Sequence, residues 1–587
     1  MKLEEILQKY YGYQNFREGQ GALIDYAVEG RSALGILPTG GGKSICYQVP
    51  GIALGGLTLV ISPLISLMKD QVDALTAAGI EAAYLNSQQK EAEARAIERG
   101  LIKGEYRFLY VAPERFDKND FRYLLSRLDI RLIAFDEAHC ISKWGHDFRP
   151  SYRQVVGRVM SLGAPCMAVT ATATADVRKD IQSLLHISDD CVVETSIKRD
   201  NLAFKVDPTF QKDKMVRRYI KEHPDDSGII YATTRKQVEA LSEQFRDFKI
   251  SHTIYHAGLP AEVRAENQTA FVNDNCSVMI ATNAFGMGID KSNVRYVIHY
   301  NLPQDLESYY QEAGRAGRDG LTSECILLYS DQDIRLQQFF IGNTQDEVIQ
   351  DMKKEKLEKM VQYTKTTQCL QGTLINYFNS EEHLEPCGKC TNCLMEADYD
   401  MTTEAKKLLS CLLRMKTPVN RSVLTKVIRG ESFPRHDFEH LSTFGLMKEY
   451  ETKAINGFID TLLFNGYVDE IDGRLSVHPS AKEVLLENMQ IMTHYHPVDY
   501  NERVTIHTLV TVDDALFDVL KKVRKTLAEE MKIPPFTIFS DRTLTLFAQK
   551  QPTTKQEMFQ IEGVGSYKLK HYCPRFIEAI KSYQTTV

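Results

Sequence analysis

From about Phe16 to about residue 335, short apolar runs rich in β-branched residues alternate with longer amphipathic segments. The runs are LTLVIS, YRFLYVA, IRLIAFD, CMAVTAT, SGIIYAT, SVMIAT and RYVIHY. They are apolar without strict alternation, as strands covered on both faces must be. Strands of this kind separated by helix-length segments predict parallel, doubly wound α/β sheets. SIKRDNLAFKVD, Ser196 to Asp207, reads as the crossing between two such sheets. This sets a first lobe over residues 1–204 and a second over 205–335.

The alternation stops at about residue 336. A charge-rich helical segment, QDEVIQDMKKEKLEKMVQY, leads into a cysteine cluster within residues 336–400. A second helical region, 401–485, closes with GYVDEIDGRLSVH, where Asp472-Gly473 has the composition of a hairpin turn. Helices followed by a hairpin predict a winged helix. A polar link, 486–510, precedes a last helical unit, 511–587, and no internal repeat or low-complexity tract is visible.

Hydrophobic residues make up 43% and charged residues 25% of 587. That length suits roughly three to five domains, and the balance excludes extensive disorder. The uncharged stretch Val49 to Met68 could suggest a membrane span, but Pro50, Gly51, Gly55, Gly56 and Pro63 interrupt it, and Thr58-Leu59-Val60-Ile61 suits a buried strand. The start, MKLEEILQKYYGY, mixes charges through its apolar positions, unlike an export signal. The expected location is cytoplasmic. A net charge of −7 means that any nucleic-acid contact rests on local patches. The segment Lys406 to Arg429 is such a patch: Lys406, Lys407, Arg414, Lys416, Arg421, Lys426 and Arg429 occur with no acidic residue among them.

Three motifs suggest phosphate chemistry. LPTGGGKS, Leu37 to Ser44, follows the apolar run ALGIL. Its Thr39, Gly40, Gly41 and Gly42 let backbone amides wrap phosphates, Lys43 offers a point charge, and Ser44 offers a hydroxyl to Mg²⁺. Leu37 departs from the strict pattern, which has glycine there. At the end of LIAF, Asp136 can hold Mg²⁺ and Glu137 can orient or deprotonate the attacking water. In QEAGRAGRDG, Gln311, Arg315 and Arg318 fall on neighbouring turns, with the arginines three residues apart on one helical face, and their planar forks suit a transferring phosphoryl group. Together the three predict ATP hydrolysis at a site between the lobes.

Cys369 and the run CGKCTNC, with Cys387, Cys390 and Cys393, supply four thiolates at spacings that suit a closed tetrahedral Zn²⁺ site. The other eight cysteines are scattered singly, as reduced thiols would be.

On these motifs the chain resembles the RecQ-type DNA helicases of superfamily 2, in the bacterial arrangement of two RecA-like lobes, a zinc-binding module, a winged helix and a small all-α HRDC domain. YGYQNFREGQ resembles the family's adenine-reading motif, which implies that Tyr13 stacks on the base, Arg17 assists and Gln20 bonds its edge. ISPLISLMKDQ and YVAPER resemble segments that grip a single strand, with Ser62 and Ser66 as candidates. HCISKWGHDFRPSY resembles the aromatic-rich loop; its Trp144, Phe148 and Arg149 are expected to couple DNA to the ATP site. AVTATAT and NAFGMGIDKSNV resemble the lobe-coupling segments, the latter placing Asp290 near the cleft. Leu370-Gln371 stand where relatives carry basic residues, which weakens any DNA contact there. In the last unit, Gly563-Val564-Gly565 could present amides to a phosphate, with Lys568 and Lys570 nearby.

The resemblance implies ATP-dependent, 3′ to 5′ unwinding of DNA in recombination, repair and replication. Its implied partners are single-stranded DNA, tailed or forked duplex and single-stranded DNA-binding protein, with the chain acting as a monomer. An RNA-remodelling ATPase and a DNA-binding scaffold with an inactive motor are the alternatives at this stage.

Overall fold

The computed structural model describes all residues except 1, 64, 87–88, 146–147, 210, 287–290, 345, 367, 379–385, 395–398, 432–437, 465, 472–473, 487–488, 494–513 and 587. The chain divides into two units. One contains Met1–Leu357, Ile375–Glu382 and Val510–Val587, the other Glu358–Leu374 and His383–Leu509.

In the first unit the apolar runs form two parallel sheets. The first sheet contains β1 (Ala33–Ile36), β2 (Leu57–Ile61), β3 (Ala82–Leu85), β4 (Phe108–Val111), β5 (Ile130–Phe135), β6 (Cys166–Thr170) and β7 (Val192–Glu194). Its order is β3-β4-β2-β5-β6-β1-β7. Every residue of β1, β2, β4 and β6 is buried, whereas the edge strand β3 alternates. Helices on both faces thus explain why the central strands read as unbroken apolar runs.

The second sheet contains β8 (Leu202–Pro208), β9 (Ser227–Tyr231), β10 (His252–Tyr255), β11 (Val278–Ala281), β12 (Val294–His299) and β13 (Ser323–Tyr329), in the order β10-β11-β9-β12-β13-β8. Matched term by term with the first, β8 takes the place of β1 and β12 the place of β5. The lobes repeat one topology with no repeat legible in the sequence. The position after β8 therefore corresponds to that of the glycine-rich loop after β1. There the second lobe has a cavity of about 450 Å³ lined by Lys212, Asp213, Arg217, Tyr300, Asn301 and Asp333 among others. Its buried lysine is already neutralised, because Lys212 pairs with Asp333. Asn301 Nδ2 donates to the same carboxylate at 2.7 Å.

The C-terminal helices of this unit, Asp514–Met531, Asp541–Lys550 and Cys573–Thr586 among them, close on Leu516, Leu520, Phe539, Phe547 and Phe576. Phe539 meets Phe547 and Phe576 edge-on at centroid distances of 5.0 and 5.1 Å. Arg524, only 1% exposed, is paired with Asp541 at 2.7 Å and donates to the Phe539 carbonyl at 2.8 Å. Removing one partner there would strand a buried charge, at a cost of about 3–5 kcal/mol.

In the second unit, the helices Thr402–Met415, Arg421–Arg429 and Thr452–Phe464 pack on a small antiparallel sheet. Asn420 caps the second of these, its side chain accepting from Val423 N at 3.0 Å. The hairpin pairs Val468–Ile471 with Arg474–Val477, the winged-helix pattern expected. Its turn, Asp472-Gly473, lies outside the described residues.

Among the described residues, no helix is long and apolar enough to cross a membrane. The stretch Val49 to Met68 instead contributes parts of two helices and strand β2.

Candidate nucleotide site and zinc centre

The glycine-rich loop is shaped by its own backbone and by side chains from upstream. Gly40 and Gly42 have φ of +78° and +76°, left-handed conformations that suit glycine. A Cβ on Gly42 would stand 2.6 Å from Gln20 Nε2. Gln20 is 2% exposed and donates to the carbonyls of Gly41 and Gly42 at 3.0 and 3.2 Å. Its Oε1 accepts from Arg17 N at 2.9 Å, and Arg17 Nη1 donates to Gly40 O at 2.6 Å. Gln20 and Arg17 thus hold the loop as well as bordering the space in front of it. Gly41 lies behind the loop, its amide donating to Pro38 O at 2.8 Å.

Asp136 is 5% exposed just beyond β5, and one of its carboxylate oxygens accepts from Glu137 N at 3.0 Å. The buried Tyr152 hydroxyl serves both the Asp136 and Ile61 carbonyls. Leaving such a buried carbonyl unpaired would cost about 1–3 kcal/mol. Glu137 adopts φ of +48°, a left-handed conformation that costs a residue with a side chain about 1–3 kcal/mol. Next to it, His139 is fully buried, with Nδ1 2.9 Å from Thr170 Oγ1 and 3.4 Å from Glu137 Oε2. Thr170 Oγ1 donates in turn to the Thr172 carbonyl at 3.2 Å. These contacts link the acidic motif to the AVTATAT segment.

The second lobe's residues arrive differently from the sequence expectation. Gln311 lies on the helix Leu306–Ala313, capped by Asp305, which accepts from Ser308 N at 2.7 Å. That helix ends before the arginines, so Arg315 and Arg318 do not share a helical face. Gly314 caps it and Gly317 takes φ of +57°, turning the chain. Arg315 is 4% exposed, and its Nε has no hydrogen-bond partner among the described residues.

One cleft of about 320 Å³ gathers these groups: Thr39, Gly40, Gly42, Lys43, Ser44, Asp136 and Glu137 from the first lobe, and Gln311, Arg315 and Arg318 from the second. Tyr13, Asn15, Arg17, Gln20 and Glu562 border it as well. Burial pushes the Tyr13 hydroxyl pKa upward, with Arg17 opposing the shift.

Arg199, which the sequence reading passed over, connects both walls. One of its guanidinium nitrogens donates to Thr39 O, and Nη2 reaches Ala316 O at 3.2 Å and Gly317 O at 2.7 Å. Its only signal in the sequence was a basic residue in the crossing segment.

The expected DNA-facing residues divide. Trp144 is 50% exposed, and Arg149 Nη1 donates to Pro63 O at 2.6 Å, tying the aromatic loop to the ISPL segment. Phe148 is partly buried. Ser62 is fully buried at the end of β2, so the structure does not bring its hydroxyl to the surface. Ser66 lies on the helix Ile65–Ala77, with its side chain outside the described set, and Asp290 lies outside the described residues. The basic patch is partly spent: Lys407 pairs with Glu449 at 3.6 Å and Arg429 with Glu431 at 3.3 Å, whereas Arg414 and Lys416 are exposed. Nor are the Gly563 and Val564 amides open to a phosphate, since Gly563 N donates to Gly12 O at 3.3 Å and Val564 N to Ile561 O at 3.2 Å.

In the second unit the sulfurs of Cys369, Cys387, Cys390 and Cys393 all lie within 4.8 Å of one another. Tetrahedral Zn–S bonds of about 2.3 Å would separate sulfurs by about 3.8 Å, and Cys387 and Cys393 stand 3.9 Å apart. Amides already point at these sulfurs: Leu370 N and Cys393 N donate to Cys390 at 3.4 Å, and Cys390 N to Cys387 at 3.3 Å. Such N–H donors stabilise thiolates, so the donor set fits Zn²⁺. Leu370 and Gln371 are both buried.

An anion-binding loop on one α/β lobe, facing guanidinium groups on a second lobe of the same topology, distinguishes two-lobed RecA-like motors from single-lobed P-loop proteins. Family models match in series: DEAD/DEAH box helicase over residues 17–181, helicase conserved C-terminal domain over 211–320, RecQ zinc-binding over 331–394, RQC domain over 396–501 and HRDC domain over 513–580. The ATP-dependent DNA helicase RecQ of Bacillus subtilis (strain 168) is 42% identical over 592 residues, covering 99% of each chain. The protein of the same name from Pasteurella multocida (strain Pm70) is 37% identical, covering 99% of this chain and 94% of its own. The chain belongs to the RecQ helicase family.

Proposed function

We propose that this chain is an ATP-dependent DNA helicase that couples ATP hydrolysis to 3′ to 5′ movement on single-stranded DNA and so separates duplex strands. The observation that carries the reading is the shared cleft, where Lys43, Asp136 and Glu137 of one lobe face Arg315 and Arg318 of the other. Lys43 and the loop amides hold the β- and γ-phosphates, and Glu137 orients the attacking water. Arg315, with a buried Nε in want of an acceptor, and Arg318 neutralise charge that builds on the γ-phosphate. Tyr13, Arg17 and Gln20 border the adenine end. Mg²⁺ held at Ser44 and Asp136 would supply further neutralisation of the phosphate oxygens.

Because the walls belong to different lobes, binding and release of the nucleotide close and open the cleft, and a strand held across both lobes advances. The wing and the basic face of residues 406–429 meet duplex phosphates. The chain acts as a monomer near the nucleoid and meets single-stranded DNA-binding protein there. Hydrolysis is expected to rise more with single-stranded DNA than with RNA, and a 3′-tailed DNA duplex to be unwound. Equal or greater stimulation by RNA would transfer the substrate assignment to RNA.

Trp144 carries the coupling. Its exposed ring can stack on an unpaired base, worth about 1–3 kcal/mol. Trp144→Ala is expected to cut DNA stimulation about tenfold or more while DNA-free hydrolysis stays within about twofold. Steady-state ATPase with and without oligonucleotide measures both, and loss of DNA-free hydrolysis would remove the coupling role.

A further inference from the structure

The C-terminal helical domain enters the nucleotide cleft. Its loop before the helix Ser566–His571 packs on the first turn after the N-terminal helix Leu3–Tyr11. Gly563 N donates to Gly12 O, and a Cβ on Gly12 would stand 2.5 Å from Val564 N, so two backbones meet with no side chain between them. Tyr572 and Tyr567 extend the contact to Ala77 and Gly79 of the first lobe. On the other side, a Cβ on Gly320 of the second lobe would stand 2.7 Å from Arg542 Nη1. The docking delivers Glu562 to the cleft wall beside Tyr13, and the Glu562 and Arg542 charges act on the Tyr13 hydroxyl in opposite directions.

We propose that Glu562 is a nucleotide-specificity residue whose carboxylate accepts hydrogen bonds from the ribose hydroxyls of ATP. The inference rests on the cleft being the ATP site. A carboxylate is repelled by phosphates and accepts without donating, so at the base end of a nucleotide it suits hydroxyl donors. A vicinal diol offers two such donors, and acidic side chains serve this purpose in dinucleotide folds. Arg542 Nη2 holds one carboxylate oxygen, Oε2, at 2.9 Å. The pair fixes the orientation of the group and leaves Oε1 for the sugar. The side chain is 38% exposed, so its replacement leaves the core intact.

The test uses the full chain with saturating single-stranded DNA and compares ATP with 2′-deoxyATP and 3′-deoxyATP. A hydrogen bond to a charged acceptor predicts about tenfold higher kcat/KM for ATP than for at least one deoxy analogue. Glu562→Ala should bring that ratio to about one by raising the KM for ATP, and Glu562→Asp should restore part of it. A role confined to holding Arg542 would move all three nucleotides together and overturn the proposal, as would a wild-type chain that does not discriminate. Lys43→Ala separates the two levels. If it still hydrolyses ATP, the reading of the cleft fails; if it does not and discrimination is absent, only the role of Glu562 fails.

Discussion

Replacing Arg315 with alanine is expected to lower kcat for DNA-stimulated ATP hydrolysis by about 10³-fold, the usual worth of a guanidinium group at a transferring phosphoryl. Lys43→Ala should abolish turnover as well, from the opposite wall, because the phosphates lose both charge and placement. Arg315 adds information that Lys43 cannot. It stands on the second lobe, so its effect requires the cleft to close on the nucleotide. Fluorescent-nucleotide binding should therefore change little in Arg315→Ala while single-turnover hydrolysis collapses. Arg315→Lys should recover only a small part of the rate, since an ammonium group keeps the charge but loses the fork. A variant that hydrolyses ATP within about tenfold of the wild-type rate would end the interlobe mechanism.

The second large effect is expected at Cys390, which is fully buried and accepts from the Leu370 and Cys393 amides. Structural zinc contributes about 10 kcal/mol or more to the folding of small metal-bound modules, far beyond what their cores supply. Cys390→Ser should release the ion and unfold the zinc module. Metal content measured after denaturation should drop by one zinc per chain, and limited proteolysis should cut within residues 358–394. A serine variant that keeps both its zinc and its protease resistance would contradict the four-sulfur site. A chelator applied to the wild-type chain should reproduce the same cleavage pattern.

The sequence disclosed those features whose physics is local. Runs such as LTLVIS and CMAVTAT became buried strands β2 and β6 because a strand covered on both faces must be apolar throughout. The CxxC spacings pointed to a cluster because sulfurs three positions apart on a tight turn can share an ion, and the four sulfurs do converge. Features that depend on chain reversal or distant packing were hidden. Ser62 looked like a phosphate contact, but its position at the end of a central strand buries it. Arg315 and Arg318 have helical spacing, yet the helix ends at Ala313 and Gly317 turns the chain before Arg318. Arg199 and Glu562 carried no motif. Each reaches the cleft only because segments far apart in sequence are brought together, Arg199 from the crossing between the lobes and Glu562 from a domain more than 500 residues after the loop it borders.

The pairing of Lys212 with Asp333 sets the second lobe's chamber apart from the first lobe's. The two lobes share a topology, so the position after β8 matches that of the glycine-rich loop after β1. There the second chamber carries its own counter-charge, Asp333, which pairs with buried Lys212 and accepts from Asn301. The buried lysine of the duplicated lobe is thus committed to a carboxylate of its own chain, and only the first lobe's glycine-rich loop keeps its lysine at the shared cleft.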